Sequence, residues 1–204
     1  MKKILAVDDE KDILYTLEAI SDVADFNIKT ALSGEKALKI LKKEKFSLII
    51  VDYHMPDMSG LKLVKEIRKL DLEIPILVLT VDESIELANN FLELGATDFA
   101  NKPIKTADLI SRIKIHLETT NEKNIDKYKD IKVPKGMSQS TLIIVLNYLE
   151  SRDDYETIDE IAGGTGLAYQ TVHRYLKFLS NNNYLKKELN YGTIGRPIHK
   201  YKLN

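Results

Sequence analysis

The run Leu48-Ile-Ile-Val51 stops abruptly at a carboxylate, Asp52, and a polar loop with turn residues follows, Tyr53-His54-Met55-Pro56-Asp57-Met58-Ser59-Gly60. From Leu61 to Arg68 the spacing of apolar residues turns helical. A short β-branched and apolar run without alternation needs apolar neighbours on both faces, the environment of a strand buried in a parallel sheet. Strand, loop and helix together form half of a crossover unit. In open sheets built from such units, ligands sit beyond the carboxyl ends of the strands. Asp52 therefore lies where chemistry is expected, although one such Asp could equally be a helix cap.

The same grammar recurs through the first half of the chain. Ile4 to Val7 runs into Asp8-Asp9-Glu10, Phe26 to Ala31 reads as a strand, Ile74 to Leu79 ends at Thr80, and the very short Asp98-Phe99-Ala100 ends at Asn101-Lys102-Pro103. Helical spacing fills the intervals: Asp12 to Ile20, Gly34 to Leu41, Ser84 to Leu94 with Gly95 as its stop, and Thr106 to Leu117. Five strands alternating with five helices predict an α/β fold, a doubly wound five-stranded parallel sheet. Parallel strands deliver their carboxyl ends to one edge, so Asp8, Asp9, Asp52, Thr80 and Lys102 should converge. Carboxylates brought together repel one another unless a cation neutralises them. Hard oxygen donors of this kind suit Mg2+. A metal, a lysine and a hydroxyl are the parts needed around a phosphoryl group.

These residues carry a resemblance. Asp8-Asp9, the block Asp52-x-x-Met55-Pro56-x-Met58-x-Gly60, Thr80 and Lys102-Pro103 resemble the receiver domain of two-component response regulators, the flavodoxin-like or CheY-like fold, over residues 1–118. The resemblance implies that Asp52 accepts a phosphoryl group from a phosphohistidine on a sensor histidine kinase. It implies that Asp9, Asp52 and the backbone carbonyl of His54 bind Mg2+, with Asp8 acting largely through metal-bound water. Lys102 would pair with the phosphoryl oxygens, Thr80 would move to hydrogen-bond one of them, and Phe99 would be the switch aromatic. The Lys102-Pro103 bond would be cis. Val81 stands where the family usually carries Ala, Gly or Ser, which implies narrower access to Asp52. His54 and Asp82 occupy variable positions flanking the phosphoryl group.

Charge divides the chain. Its formal net charge is only -1, yet from Thr165 onward seven Lys and Arg face the single Glu188. A basic end on an acidic body suggests a polyanion-binding module. Residues 119–137 are polar, mixed in charge and broken by Val133-Pro134-Lys135-Gly136, and read as a linker. They form either a flexible tether or a short extra helix on the receiver, and the second is preferred. Residues 138–204 should form a small winged helix-turn-helix domain. Ser138 to Glu150 reads as a capped helix, and Thr157 to Ala162 as a second with a capping-box pattern. Gly163 to Gly166 reads as a turn, and Ala168 to about Asn181 as a third helix. Val172, Leu176 and Leu179 face inward on that helix, while Tyr169, Gln170, His173, Arg174 and Lys177 face outward as donors for phosphates and base edges. Tyr184 to Tyr191, a Gly192-to-Pro197 turn and Ile198 to Leu203 make a basic wing.

This half resembles the DNA-binding domain of response regulators that control citrate, malate and related dicarboxylate metabolism. The resemblance rests on Pro134-Lys135-Gly136, Gly166-Leu167, Thr171-Val172, Arg174-Tyr175-Leu176 and Tyr191-Gly192-x-x-Gly195-Arg196-Pro197. It adds Thr171 and Arg196 to the DNA contacts. His173 replaces a frequent Arg, and Ala168 a frequent helix-capping Ser. The whole reads as a phosphorylation-gated regulator of transcription that binds double-stranded DNA and forms a homodimer when phosphorylated. The rivals are a switch acting through protein-protein contacts and a Mg2+-dependent phosphohydrolase. With no cysteine, no signal-peptide core before Asp8 and no apolar run near the roughly 20 residues of a bilayer span, a cytoplasmic location is expected and a membrane role is not.

Overall fold

The structure is a computed structural model that describes residues 2–21, 26–70, 74–82, 84–103, 105–118, 125–128, 130–134, 137–190 and 198–204. The first half alternates strands and helices: β1 Lys2–Val7, α1 Lys11–Ser21, β2 Phe26–Ala31, α2 Gly34–Leu41, β3 Leu48–Asp52, α3 Gly60–Leu70, β4 Ile76–Thr80, α4 Ile85–Glu93, β5 Asp98–Asn101 and α5 Thr106–Glu118. The five strands are all parallel, in the order β2-β1-β3-β4-β5. That is a doubly wound sheet whose strand order reverses beside β1 and β3.

Successive residues of a strand point to opposite faces, and the two apolar layers follow that rule. Leu5, Val7, Ile49, Val51, Ile76, Val78 and Phe99 pack with helices α2, α3 and α4 on one face. Ile4, Ala6, Leu48, Ile50, Leu77, Leu79 and Ala100 pack with α1 and α5 on the other. Both sets are buried, which is why these strands show no polar alternation in sequence.

The second half runs α6 Ile125–Tyr128, α7 Gln139–Glu150, β6 Glu156–Thr157, α8 Ile158–Thr165, α9 Tyr169–Asn181, β7 Leu185–Asn190 and β8 Ile198–Leu203. Its core gathers Leu142, Val145, Leu146, Leu149, Ile158, Ile161, Val172, Tyr175, Leu176 and Leu179 beneath a sheet ordered β6-β8-β7. Helices α7, α8 and α9 with an antiparallel sheet have the make-up of a winged helix. The expected wing strands pair from Leu185↔Leu203 to Asn190↔Ile198, and β6 adds a third strand that the sequence did not announce.

Ser138 stands at the N-cap of α7 but, against expectation, makes no side-chain cap bond, and two further expectations need correction. A short helix, α6, does lie in the connecting stretch, but its partners belong to the second half and not to the receiver. Gln139 donates to the Tyr128 carbonyl at 2.9 Å, the Tyr128 hydroxyl donates to Glu150 at 3.0 Å, and Ile131 and Val133 pack on the second core. The apolar Tyr128, Ile131 and Val133 find cover there. The second correction concerns Gly163-Gly164-Thr165, which is helix and not turn. Ile158, Ile161 and Thr165 share one buried face, and the Thr165 hydroxyl donates to the Ile161 carbonyl at 2.6 Å. The helix stops only at Gly166, whose φ of 70° suits glycine. The capping box of Thr157 and Glu160 starts it as expected.

Tyr175 ties α9 to the start of α7. Its hydroxyl accepts from the Ser138 N–H at 2.7 Å and donates to the Ser138 carbonyl at 3.1 Å. Burial pushes its pKa up to about 12, so the hydroxyl keeps the proton it donates. Tyr175→Phe should strand the Ser138 N–H and leave the Ser138 carbonyl with the Leu142 N–H alone, at a cost of roughly 1–3 kcal/mol read as a lower urea midpoint. An unshifted midpoint would show that water takes over both bonds.

Candidate functional site

Parallel register assembles the site. Asp52 ends β3 opposite Leu79, Thr80 ends β4 opposite Asn101, and the Asp8 N–H donates to the Ala31 carbonyl at 3.2 Å just past the end of β1. The Lys102 N–H donates to the Thr80 carbonyl at 2.7 Å, which seats Lys102 beside β4. Asp8, Asp52 and Thr80 are buried, whereas Asp9 is exposed. The carboxylates of Asp8, Asp9 and Asp52 offer oxygen atoms that lie within 4.8 Å of one another. Lys102 Nζ bridges two of them, 2.8 Å from Asp8 and 2.6 Å from Asp52. Burial alone would pull the Lys102 pKa down, but hydrogen bonds to Asp52 and Asp8 outweigh it and hold the ammonium above its ordinary value. The lysine is thus a fixed cation in the site.

The donor set fits a hard divalent cation. Three carboxylates converge, one is open to water, and Lys102 already offsets part of the charge on the other two. His54 lies two residues beyond Asp52, exposed, with its ring centroid 4.3 Å from that of Tyr53. The loop between them and α3 is drawn tight at Gly60, whose N–H donates to the Tyr53 carbonyl at 2.9 Å. A Cβ on Gly60 would stand 2.5 Å from the Asp52 carbonyl oxygen and 2.9 Å from Tyr53 Cα. Only glycine lets α3 begin so close to the end of β3.

Thr80 Oγ1 accepts from the Asp82 N–H at 3.0 Å. Phe99 is buried in the layer that holds Leu87, Ala88 and Phe91 of α4. Val81 points outward, 62% exposed, and edges a hollow of about 390 Å³ between α1 and α5 lined by Ile13, Leu17, Lys102 and Pro103.

On α9 the structure divides the candidate DNA contacts into two groups. Tyr169, His173 and Lys177 are exposed along one stripe, with the Tyr169 and His173 rings stacked at 6.4 Å, and Gln170 is half-buried beside them. Burial, then the neighbouring Lys177 and Lys187, lower the His173 pKa below its ordinary 6.5, so the ring is neutral at pH 7. Thr171 and Arg174 lie on another flank. Thr171 is fully buried with its hydroxyl on Asp98 at 2.8 Å, and Arg174 donates to the Leu92 carbonyl. The expectation that Arg174 faces outward therefore fails in this arrangement, because that flank of α9 meets α4 and β5. Arg196 and the wing turn lie outside the described residues.

Sequence reasoning missed Asp98. It is wholly buried on β5, with Arg112 Nη1 at 2.7 Å and His116 Nε2 at 3.5 Å, the latter too long for a well-formed hydrogen bond. Burial would raise its pKa, but His116, Arg112 and Thr171 outweigh it and hold the carboxyl below its ordinary value. The available signal was an acid opening a strand, followed by Arg112 and His116 four apart on one face of α5.

A five-stranded parallel sheet with an acidic pocket and a lysine at its carboxyl edge has the architecture of a signalling receiver. Residues 4–114 match the response regulator receiver domain family, and the chain belongs to it. It is 28% identical, over 98% of its length and 96% of the relative's, to a Bacillus subtilis protein named probable C4-dicarboxylate response regulator DctR. It is likewise 28% identical to the transcriptional regulatory protein MalR of the same organism, over 91% of this chain and 87% of that one. To a protein of Halalkalibacterium halodurans named transcriptional regulatory protein CitT it is 28% identical, over 98% and 97%. Among solved structures, the chemotaxis protein CheY4 of Vibrio cholerae aligns with a TM-score of 0.54 at 34% identity, covering 56% of this chain and 97% of that one. A two-component response regulator from Clostridium difficile aligns at 0.57 and 27%, covering 60% and 100%. The chain is a response regulator of the two-component type. Among the described residues no helix is long and apolar enough to cross a membrane.

Gly60→Ala should push its methyl group into the Asp52 carbonyl and lower stability by about 1–3 kcal/mol, measured by urea denaturation. A variant as stable as the parent would mean that the loop can back away from β3 at no cost.

Proposed function

We propose that Asp52 is the phospho-acceptor of a switch that gates DNA binding by α9 and the β7–β8 wing. The observation that carries this reading is Lys102 between Asp8 and Asp52, with Asp9 beside them, at the open strand ends of a receiver. Mg2+, when bound, offsets negative charge on the phosphoryl oxygens. Asp9, Asp52 and the His54 carbonyl would hold it, with Asp8 acting through water.

In the transfer step a carboxylate oxygen of Asp52 attacks the phosphorus of a phosphohistidine on a sensor histidine kinase. A P–O bond forms, the P–N bond breaks, and the electron pair leaves with the imidazole. Lys102 then pairs with a phosphoryl oxygen in place of the Asp52 oxygen. Thr80 Oγ1 accepts from Asp82, so its own hydrogen is available to a second phosphoryl oxygen, and Phe99 follows that movement. The apolar hollow beside Lys102 suits the docking of the kinase. The reading is a switch and not a phosphohydrolase on a related sheet, and turnover of phosphate esters should be negligible.

At the DNA, Gln170 and His173, joined by Arg174 once it is exposed, read base edges. Lys177 and Arg196 hold phosphates, with Tyr169 packing alongside and Thr171 joining it once its flank is exposed. One basic module alone binds weakly, so the phosphorylated form acts as a homodimer on paired half-sites in the cytoplasm. The names of the full-length relatives support target genes of dicarboxylate or citrate metabolism or transport.

Acetyl phosphate with Mg2+ should label Asp52 alone, and Asp52→Asn should abolish the label while the far-UV circular dichroism stays unchanged. Label that persists in that variant would place the acceptor elsewhere. Arg196→Ala should weaken binding to every DNA sequence alike and lower the salt slope by about 1. Gln170→Ala should instead change which sequences are preferred, at roughly 1–3 kcal/mol for a lost bidentate contact. A salt series on matched and scrambled duplexes separates the two, and a reversed pattern would overturn this division of labour.

A further inference from the structure

Helix α9 begins without a cap of its own. Ala168 stands at its N-cap position in an extended conformation and brings no side-chain oxygen to the free N–H groups of the first turn. The anion that meets this helix end comes from the other half of the chain. Asp98 Oδ1 accepts from the Ala168 N–H at 3.2 Å and from the Thr171 hydroxyl at 2.8 Å. Around that contact Ala168 packs on the sheet layer that contains Phe91 and Phe99. A Cβ on Gly166 would stand 2.6 Å from Ile115 Cδ1 of α5, and Arg174 reaches the Leu92 carbonyl in the last turn of α4.

We propose that Asp98 is an intramolecular latch that caps α9 from the receiver and keeps its Thr171–Arg174 flank closed to DNA until Asp52 is phosphorylated. The proposal rests on the phosphorylation-gated DNA binding proposed above. Three features make the contact a latch and not merely a packing detail. The first is competition for one place. A carboxylate at a helix N-terminus occupies the position favoured by a phosphate, so Asp98 and the DNA backbone exclude one another there. The second is position along β5. Asp98 precedes Phe99, and the same strand leads directly into Lys102, so one short strand joins the acidic site to the latch residue. The third is reversibility. Arg112 and His116 belong to the receiver and stay with Asp98 when α9 leaves, so opening does not strand a bare buried charge. A closed population of this kind lowers the apparent DNA affinity by the fraction of molecules that are open.

The test uses the full-length chain, a mixed-sequence DNA duplex at low salt, and hydrogen exchange at the amides of Ala168 to Thr171. Asp98→Asn removes the charge at nearly constant shape. In the resting protein it should speed exchange at Ala168 and tighten DNA binding about tenfold, the worth of one charge-assisted hydrogen bond. After acetyl phosphate and Mg2+, its DNA affinity should equal that of the parent protein. Thr171→Val cuts the same contact from the other side and leaves the Asp98–Arg112 pair intact. It therefore serves, through exchange alone, if Asp98→Asn unfolds the receiver. Should phosphorylation tighten DNA binding while neither variant speeds exchange or changes resting affinity, the latch is overturned and the gating reading survives. Should exchange rise in both variants while no form of the protein binds DNA, the contact stands and the DNA-binding reading is the one that fails.

Discussion

Lys102 lets three carboxylates share one end of a parallel sheet. Its ammonium spans Asp8 and Asp52, both buried, and without it those charges would face one another with only the exposed Asp9 near water. The pairing depends on register. Asp52 reaches the edge because β3 pairs residue for residue with β4, and Lys102 reaches it because its N–H is bonded to the Thr80 carbonyl. A slip of one residue on any of these strands would turn the acidic groups into the apolar layers. The buried all-parallel sheet is thus both the scaffold of the site and the reason its charges need a fixed counter-ion.

A third buried carboxylate, Asp98, does different work on the same strand system. Asp98 lies at the start of β5 and Lys102 just past its end, so one short strand spans the acidic site and the contact with α9. The two sites differ in how their charge is met. Asp8 and Asp52 share one lysine, with the exposed Asp9 beside them. Asp98 divides its oxygens between Arg112 and His116 on one side and the start of α9 on the other. Charge that is satisfied from two bodies is sensitive to their relative position, whereas the apolar layers on either face of the sheet are not.

The receiver was legible in sequence because its signals are local and repeated. Each strand is a short apolar run, each ends in a polar group, and parallel topology makes those ends converge without further information. The capping box at Thr157 and the inward stripe of Val172, Leu176 and Leu179 were legible for the same reason, since both are set by spacing within one helix. Gly163 and Gly164 misled because glycine lowers helix propensity by only about 1 kcal/mol, less than burying Ile158, Ile161 and Thr165 on a common face returns. The short helix α6 was visible as a pattern, but nothing in its own residues says which core it joins.

By itself the sequence determined the α/β alternation, the set Asp8, Asp9, Asp52, Thr80 and Lys102 at strand ends, and the three helices and wing of the second half. It determined these because each depends on residue type and on intervals of a few positions. Only the tertiary structure decided which flank of α9 is free. Tyr169, His173 and Lys177 remain outside, while Thr171 and Arg174 are taken up by Asp98 and Leu92, which lie some 70 to 80 positions earlier in the chain. Helical periodicity ranks the faces of a helix by polarity, but a polar flank satisfied by a distant carboxylate has the same pattern as one that faces water. The distinction rests on a contact between the two halves, and no interval along the chain encodes it.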